Sequence, residues 1–262
     1  MTLTITFVFF VLGLIIGSFL NVVIFRYNTG RTFGGRSACM SCNRTLTWTE
    51  LIPVGSFIAQ KGKCRGCKTK ISTQYPIVEL ITGFIFAALF LKLQFYFWTD
   101  TLAFSLMLAY YVSLFSLLLV IAVYDLKHKI IPDTLALIFG ILAFFGMFLF
   151  SNGNFYFHIP LLNDFLAGPI LASPFALLWL VSRGHWMGFG DAKLSLGLGW
   201  MLGLSSGLSA LVLAFWAGAL LGILLLIFSK KYGAKSQIPF APFLVIGAFL
   251  VFIFSINLFP FF

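Results

Sequence analysis

Residues 3–25 read LTITFVFFVLGLIIGSFLNVVIF, an apolar run of roughly 23 residues, which is long enough for a helix to cross a hydrocarbon core of about 30 Å. The run has no basic start and no clear small-residue cleavage site, so we interpret it as an anchor rather than a signal peptide. Of the 262 residues, 61% are hydrophobic and 9% are charged. In soluble domains about a quarter of the residues are charged, so this low charged fraction predicts an integral membrane protein.

Further apolar runs follow at residues 76–97, 102–124, 134–150, 161–181, 192–204, 208–228 and 240–256. Together with the first run they predict an all-α membrane protein with about eight transmembrane helices. We divide the chain into a first transmembrane helix at 1–25, a polar and basic loop domain at 26–75, and a seven-helix membrane domain at 76–262. This architecture excludes a small soluble enzyme.

The net charge of +10 predicts membrane topology rather than a nucleic-acid partner, because the basic residues lie between apolar runs and form no basic face. Cytoplasmic loops carry an excess of Lys and Arg. If the 26–75 loop is cytoplasmic, alternation of eight spans puts nearly all of the 17 basic residues on that side, with the amino terminus outside. Beyond the loop, this count rests on Lys127, Lys129, Arg183, Lys193, Lys230, Lys231 and Lys235.

All the cysteines of the chain lie in the 26–75 loop as two C-x2-C pairs, namely Cys39 with Cys42 and Cys64 with Cys67. Two thiolate pairs presented from tight turns are typical of a tetrahedral zinc site. The alternatives are two disulfides or four unrelated thiols, which a reducing cytoplasm disfavours. Four thiolates would make a closed, structural Zn²⁺ site that folds a small cytoplasmic zinc-ribbon-like loop domain.

Two carboxylates stand at the ends of apolar runs. Asp191 follows two glycines in Gly188-Phe189-Gly190-Asp191, and Asp125 ends the run at 102–124. Acids in membrane helices are costly and are commonly functional. The alternation of spans puts both at one membrane depth, where a carboxylate pair can share a proton and activate a water, as in aspartic proteolysis. Alternatively, Asp125 pairs with a nearby lysine and Asp191 caps its helix, and the residues alone leave both interpretations open.

Three further polar residues carry separate predictions. Glu79, near the cytoplasmic end of the second span, either binds the cationic amino terminus of a cleaved product or pairs with a loop arginine. Asp133 follows Pro132 and is predicted to cap the fourth span, with a substrate-binding role as the alternative. Asn21, within the first span, is predicted to make a helix–helix hydrogen bond.

The chain resembles the type IV prepilin peptidases, which are GxGD aspartic membrane proteases, over nearly its whole length. The motifs that carry the resemblance are residues 188–194, Asp125 with Ile131-Pro132-Asp133, residues 238–244, residues 17–24, residues 75–80 and the two cysteine pairs. The resemblance implies that Asp125 and Asp191 form the catalytic pair. Around them we expect residues that bind substrate or support the pair, namely Gly188, Gly190, Lys193, Asp133 and Glu79.

The resemblance also implies a bifunctional enzyme. Such enzymes cut the basic leader from prepilin or pseudopilin precursors at the cytoplasmic face of the bacterial inner membrane. They then N-methylate the new amino terminus with S-adenosylmethionine, an activity attributed to the half that carries the cysteine loop. A peptidase without methyl transfer is the runner-up.

Two readings from other classes compete with an enzyme. A proton- or ion-coupled transporter would place acids at mid-depth, whereas those here, except Asp100 and Asp164, lie near the predicted cytoplasmic edge. A zinc-finger membrane adaptor would not need paired acids behind glycines. Under each of these interpretations, including the enzyme, the apolar helices would contact membrane lipid.

Overall fold

The computed structural model describes residues 1–30, 32, 34–151, 154–228 and 238–260. The chain divides into two compact units, Met1–Trp98 and Thr99–Phe262. The predicted boundaries at residues 25 and 75 fall inside the first unit and stay predictions. Arg31 of the loop and Lys230, Lys231 and Lys235 of the orientation argument lie outside the described residues.

The first unit is built on the helices α1 (Thr2–Arg26), the short α2 (Gly55–Ala59) and α3 (Gln74–Thr99). α1 and α3 approach closely at small residues: a Cβ added at Gly13 would lie 2.7 Å from the Cα of Gly83. Small residues at such crossings let helix backbones meet in a membrane. Asn21 is fully buried, and its Nδ2 donates to the Tyr75 carbonyl at 3.1 Å, which is the helix–helix hydrogen bond predicted from the sequence.

The elements of the second unit are α4 (Thr101–His128), α5 (Asp133–Gly146), the antiparallel strands β1 (Phe150–Ser151) and β2 (Asn154–Phe155), α6 (Leu162–Ser182), α7 (Phe189–Leu202), α8 (Leu204–Phe228) and α9 (Ala241–Phe254). The Asp100 carboxylate caps α4 by accepting from the N–H groups of Leu102 and Ala103, each at 3.0 Å. α4 ends at His128, and its C-cap Lys129, with a left-handed φ of 56°, turns the chain toward α5.

α7 lies at the centre of the second unit, where it packs against α5, α6, α8 and α9. Its glycines make this possible. A Cβ at Gly197 would lie 2.5 Å from the Phe139 ring of α5, and one at Gly199 would lie 2.5 Å from the Ala167 carbonyl oxygen of α6. The helix that carries Asp191 is therefore held by neighbours on several sides.

A helix stands at each of the eight predicted apolar runs, and the chain is a multi-pass, all-α membrane protein. Five of these helices in the described part of the chain are long and apolar enough to span a bilayer, namely α1, α3, α4, α6 and α8. By contrast, α5, α7 and α9 have 14 residues each, or about 21 Å, which is shorter than a hydrocarbon core. The predicted count of eight complete crossings is therefore not confirmed.

Candidate active site and metal centre

The two predicted catalytic acids lie at the ends of α4 and α7. Asp125 is in the last turn of α4 and is 5% exposed, whereas Asp191 is in the first turn of α7 and is 8% exposed. The two carboxylates are close enough to interact electrostatically. Asp191 is not a helix cap, because α7 begins at Phe189 with Gly188 as its N-cap. Two buried acids from distant parts of the chain thus face one region of the second unit.

Asp125 has a partner that the sequence did not single out. Its Oδ2 accepts a hydrogen bond from the backbone N–H of Ala241 at 3.3 Å, and Ala241 is the first residue of α9. The first N–H groups of a helix lack intrahelical acceptors and are available to a carboxylate. Pro239 and Pro242 flank this start, and proline in a first helical turn was the available signal.

Asp191 has an unsatisfied oxygen. Its Oδ1 is buried and has no hydrogen-bond partner in the part of the chain that the structure describes. Burying a carboxylate oxygen without a partner is costly, and such groups in proteins are commonly reserved for a ligand or for chemistry. The arrangement suits an acid that takes part in proton transfer.

The glycines beside Asp191 differ in their surroundings. A Cβ at Gly190 would lie 2.8 Å from the Cβ of Ile131, in the connection between α4 and α5. A Cβ at Gly188 would meet nothing closer than the Asp191 carboxylate at 3.9 Å. Both glycines were predicted to bind substrate or to support the catalytic pair. A side chain at Gly190 would collide with the chain's own Ile131, whereas the space at Gly188 is open, and the contact of either glycine with substrate stays a prediction.

Asp133 and Lys193 connect the starts of α5 and α7. Lys193 Nζ lies 2.7 Å from Asp133 Oδ1, and it lies 5.3 Å from the centre of the Phe189 ring. The prediction that Asp133 caps its helix is wrong: Pro132 is the N-cap of α5, no side chain caps it, and the Asp133 carboxylate turns to Lys193 instead. Both side chains are exposed, so a contact with substrate is open to them.

Glu79 lies in the first unit, where it is 6% exposed. Its Oε2 accepts from the backbone N–H of Val54 at 2.7 Å, and its carboxylate also bonds the Ser18 side chain. Among the described residues no ion pair joins Glu79 to a loop arginine, so that alternative finds no support; Arg44 pairs with Glu50 instead.

The four cysteines form one cluster, with their Sγ atoms all within 4.8 Å of one another. The Cys39 and Cys67 sulfurs are 3.8 Å apart, and all four are free thiols, contrary to the disulfide alternative. The two pairs sit on separate turns that have the same backbone hydrogen-bond pattern. Cys39 N–H donates to the Arg44 carbonyl at 3.0 Å, and Cys64 N–H donates to the Thr69 carbonyl at 2.9 Å. This donor set can hold a metal ion.

The acidities of these thiols diverge. Hydrogen bonds with Thr69 lower the pKa of the Cys67 thiol to about 6, and hydrogen bonds with the Cys67 and Gly66 backbone lower that of Cys64. Although an Arg44 backbone hydrogen bond lowers the pKa of Cys42, the Cys67 and Cys39 thiols raise it to about 11. Neighbouring thiolates repel one another, and a bound cation is the group that would relieve this repulsion.

Glu50 stabilises the loop beside the cluster. Its carboxylate accepts from the backbone N–H and the hydroxyl of Thr47, each at 3.0 Å, and forms an ion pair with Arg44 at 2.5 Å. The Thr47 N–H, followed by the Arg44 guanidinium, holds the pKa of this carboxyl below its ordinary value. Glu50 is therefore ionised and fully partnered inside the loop.

Comparison with known proteins gives matches in both units. Residues 11–93 match the family described as Bacterial Peptidase A24 N-terminal domain, and residues 112–223 match the Type IV leader peptidase family. No solved structure matches the chain.

Curated relatives match most of the chain, and each is named Prepilin leader peptidase/N-methyltransferase. The Bacillus subtilis protein is 32% identical over 97% of this chain and 96% of its own length. The Myxococcus xanthus protein is 35% identical over 87% of this chain, which spans 65% of that relative. The Aeromonas salmonicida protein is 32% identical over 92% of this chain and 88% of its own length.

Proposed function

This chain belongs to the type IV leader peptidase family, and on that premise we propose that it is a bifunctional membrane enzyme. It cleaves the leader peptide of prepilin-like precursors and N-methylates the new amino-terminal residue. The observation that carries the peptidase assignment is the pair of buried acids, Asp125 and Asp191, which lie close enough within the second unit to interact electrostatically. Gly188, Gly190, Lys193 and Asp133 support this pair or bind the substrate beside it.

The peptidase reaction follows from a carboxylate pair that holds one proton. The ionised acid takes a proton from water as the water oxygen attacks the peptide carbonyl carbon, and the protonated acid donates to the carbonyl oxygen. When the tetrahedral intermediate collapses, the C–N bond breaks, the acid that took the proton from water gives it to the leaving nitrogen, and the other acid takes back the hydroxyl proton as the carbonyl re-forms. The hydrogen bond from Ala241 orients Asp125 for this exchange, and the buried Oδ1 of Asp191 has no protein partner among the described residues that would compete with a bound water or substrate.

The second reaction transfers a methyl group to the amino terminus that cleavage creates. The amine nitrogen attacks the methyl carbon of S-adenosylmethionine, the carbon–sulfur bond breaks, and the methylated ammonium loses a proton. We assign this activity to the first unit, because it contains the segment that matches the A24 N-terminal domain. The names of the relatives support the transfer.

The metal that the cysteine cluster holds is Zn²⁺. Four thiolates at about 2.3 Å from a tetrahedral zinc lie about 3.8 Å from one another, which agrees with the 3.8 Å between the Cys39 and Cys67 sulfurs. Because protein thiolates fill all four positions, the ion is structural and leaves no position open for catalysis. Its binding energy folds the loop around it.

The enzyme sits in the bacterial inner membrane with its amino terminus outside. The positive-inside rule supports this orientation, which puts the cysteine loop and the aspartates at the cytoplasmic face. Its partners are precursors with basic leaders and the surrounding lipid, and no nucleic acid. The relatives named as enzymes give no support to a transporter.

A single assay tests both activities. Purified protein is incubated with a precursor that carries a basic leader, with and without S-adenosylmethionine, and the products are read by mass spectrometry. We expect cleavage in both samples and one added methyl group only with the donor. Cleavage without methylation under both conditions would favour the peptidase-only alternative, and an intact precursor would overturn the assignment.

A further inference from the structure

Two buried oxygens on α7 have no hydrogen-bond partner in the part of the chain that the structure describes. They are Oδ1 of Asp191 and the hydroxyl Oγ of Ser195, which is fully buried. Residues four positions apart in a helix lie one turn apart on the same side. We propose that Ser195 is a positioning residue for Asp191 and acts through one bound water, an inference that rests on the peptidase function proposed above.

Asp191 and Ser195 share the enclosed side of α7. Asp191 is 8% exposed and Ser195 is not exposed at all, whereas Phe189 is 42% exposed. At 3.6 residues per turn, Phe189 and Lys193, each two positions from Asp191, lie on the other side of the helix. There the Lys193 ammonium group lies 5.3 Å from the centre of the Phe189 ring. The Ser195 hydroxyl therefore faces the surroundings of the buried acid and not those of this exposed pair.

The Ser195 hydroxyl differs from other serine hydroxyls in the helices of this chain. Helical serines commonly donate to the carbonyl four residues earlier. Ser113 does so at 2.7 Å on α4, and Ser209 does so at 3.0 Å on α8. Ser195 makes no such bond, so its proton is left for another acceptor. Because a buried donor without a partner costs about 1–3 kcal/mol, a bound acceptor beside Ser195 stabilises the folded chain.

One water matches the separation of the two oxygens. Side chains one turn apart on a helix have Cβ atoms about 5–6 Å apart, and two successive O–H···O bonds of about 2.8 Å span a similar length. The Cα–Cβ bond of a helical residue tilts toward the amino terminus, which points Ser195 toward Asp191. The water accepts from the Ser195 hydroxyl and donates to Oδ1 of Asp191. Bridging otherwise unsatisfied polar groups is the usual task of a buried water.

The two oxygens of the Asp191 carboxylate then have different tasks. Oδ2 lies 3.9 Å from the position of a Cβ at Gly188, where the described residues leave open space. A water that holds Oδ1 fixes the rotation of the carboxylate and so keeps Oδ2 directed at this space. Misplacing a reacting group by about 1 Å can cost about 10²-fold in rate. Ser195 therefore sets the orientation of the acid without touching the substrate.

Cleavage kinetics of matched variants test this role. Ser195→Thr keeps the hydroxyl, whereas Ser195→Val has nearly the same shape and lacks it. With a precursor that carries a basic leader, we expect kcat to fall about 10–100-fold in Ser195→Val with KM unchanged, and to stay within about threefold in Ser195→Thr. Ser195→Ala, which adds no volume, should lose as much as Ser195→Val. Equal kcat in the Thr and Val variants, or an unaltered kcat in Ser195→Ala, would overturn the inference.

Ser116 supplies the control. Its hydroxyl is also buried without a partner among the described residues, but it lies on α4, nine positions before Asp125 and about 14 Å away along the helix. Ser116→Ala removes the same chemical group and should leave kcat unchanged. Thermal midpoints of the Ser116→Ala and Ser195→Ala proteins show the effect of each hydroxyl on stability. An equal loss of kcat in both would mean a general disturbance of the fold and would contradict a specific role for Ser195.

Infrared difference spectra between acidic and neutral pH test the water bridge without any cleavage. The carboxyl C=O band that Asp191→Asn removes should move to higher frequency in Ser195→Ala, because the group loses a hydrogen bond, and should stay in place in Ser116→Ala. A band that ignores Ser195 would overturn the inference. If the unaltered protein cleaves no precursor but the band shifts, the proposed peptidase function fails and the bridge stands. If it cleaves normally and neither kcat nor the band depends on Ser195, only the bridge is wrong.

Discussion

The carboxylate of Asp125 accepts a hydrogen bond from the backbone N–H of Ala241, 116 positions later in the chain. The acid at the end of α4 is thereby fixed by the start of the last helix, while Asp191 arrives on the first turn of α7. The candidate active site is a meeting of helix ends rather than a pocket along one helix. Its geometry depends on residues far from the Gly-x-Gly-Asp motif.

Separate Asp125→Asn and Asp191→Asn variants should each lose leader cleavage by about 10²–10⁴-fold, because an amide can neither accept nor donate the proton of an acid–base pair. Cleavage of a precursor in detergent or liposomes measures this. Asp100→Asn is the matched control, since Asp100 is an exposed cap of α4 and asparagine caps equally well. Normal cleavage by either variant of the pair would refute the catalytic assignment.

Gly190→Ala should destabilise the second unit by about 1–3 kcal/mol, because the new Cβ would lie 2.8 Å from Ile131. Gly188→Ala meets open space and should cost no more than about 1 kcal/mol, the price of a poorer N-cap. Thermal unfolding of the purified variants in detergent compares the two. Equal midpoints would mean that the Ile131 contact does not constrain α7.

Metal analysis should find zinc bound to the purified protein and largely lost from Cys42→Ser, because three thiolates no longer close the tetrahedron. The control is Asn43→Gly in the same turn. Asn43 has a φ of 53°, which glycine adopts without strain, so this variant should keep its metal. Retention of zinc by Cys42→Ser would show that the cluster is not the metal site.

Glu50→Gln should destabilise the loop by about 1–3 kcal/mol, since a buried, charge-assisted set of hydrogen bonds is weakened. The folded pKa of Glu50 is lowered by the Thr47 N–H and then by Arg44, so its stabilising contribution is complete above the ordinary Glu pKa of about 4.3. It is lost as the pH falls through the lower folded value.

Hydrogen–deuterium exchange of residues 38–50 in both proteins, measured from neutral to acidic pH, tests this dependence. Both proteins carry the same cysteines, so protonation of the thiols affects them alike. The difference in protection should be constant at neutral pH and should narrow only below about pH 4.3. A difference that grows with acidity would have the wrong sign for an ionised Glu50.

Sequence reasoning located what depends on local pattern. Apolar runs marked the helices, and the paired C-x2-C spacing marked a cluster whose sulfurs do lie together. The contacts that sequence reasoning did not predict join segments that are far apart in the chain. The Asp133 cap was wrong because Lys193, 60 positions away, offers a stronger partner than the helix start. The bond from Ala241 to Asp125 was missed for the same reason.

The short helices show a second limit. Hydropathy records that residues 134–150, 192–204 and 240–256 avoid water, but it does not separate burial in lipid from burial against protein. α7 is shielded by other helices, so its apolar character reflects its neighbours as much as a bilayer. Hydropathy alone therefore counts the three 14-residue helices as complete membrane crossings, which their length does not establish.

The hydrogen bond that the Val54 N–H donates to the Glu79 carboxylate ties the fold of the cysteine segment to the helix α3. Such a segment is not a portable module. Expressed by itself in water, even with its metal, it would lose the Glu79 carboxylate that holds Val54 at a positive φ. The start of α2 would then be free to relax. Engineering that transplants this half between relatives should therefore move the loop together with both flanking helices.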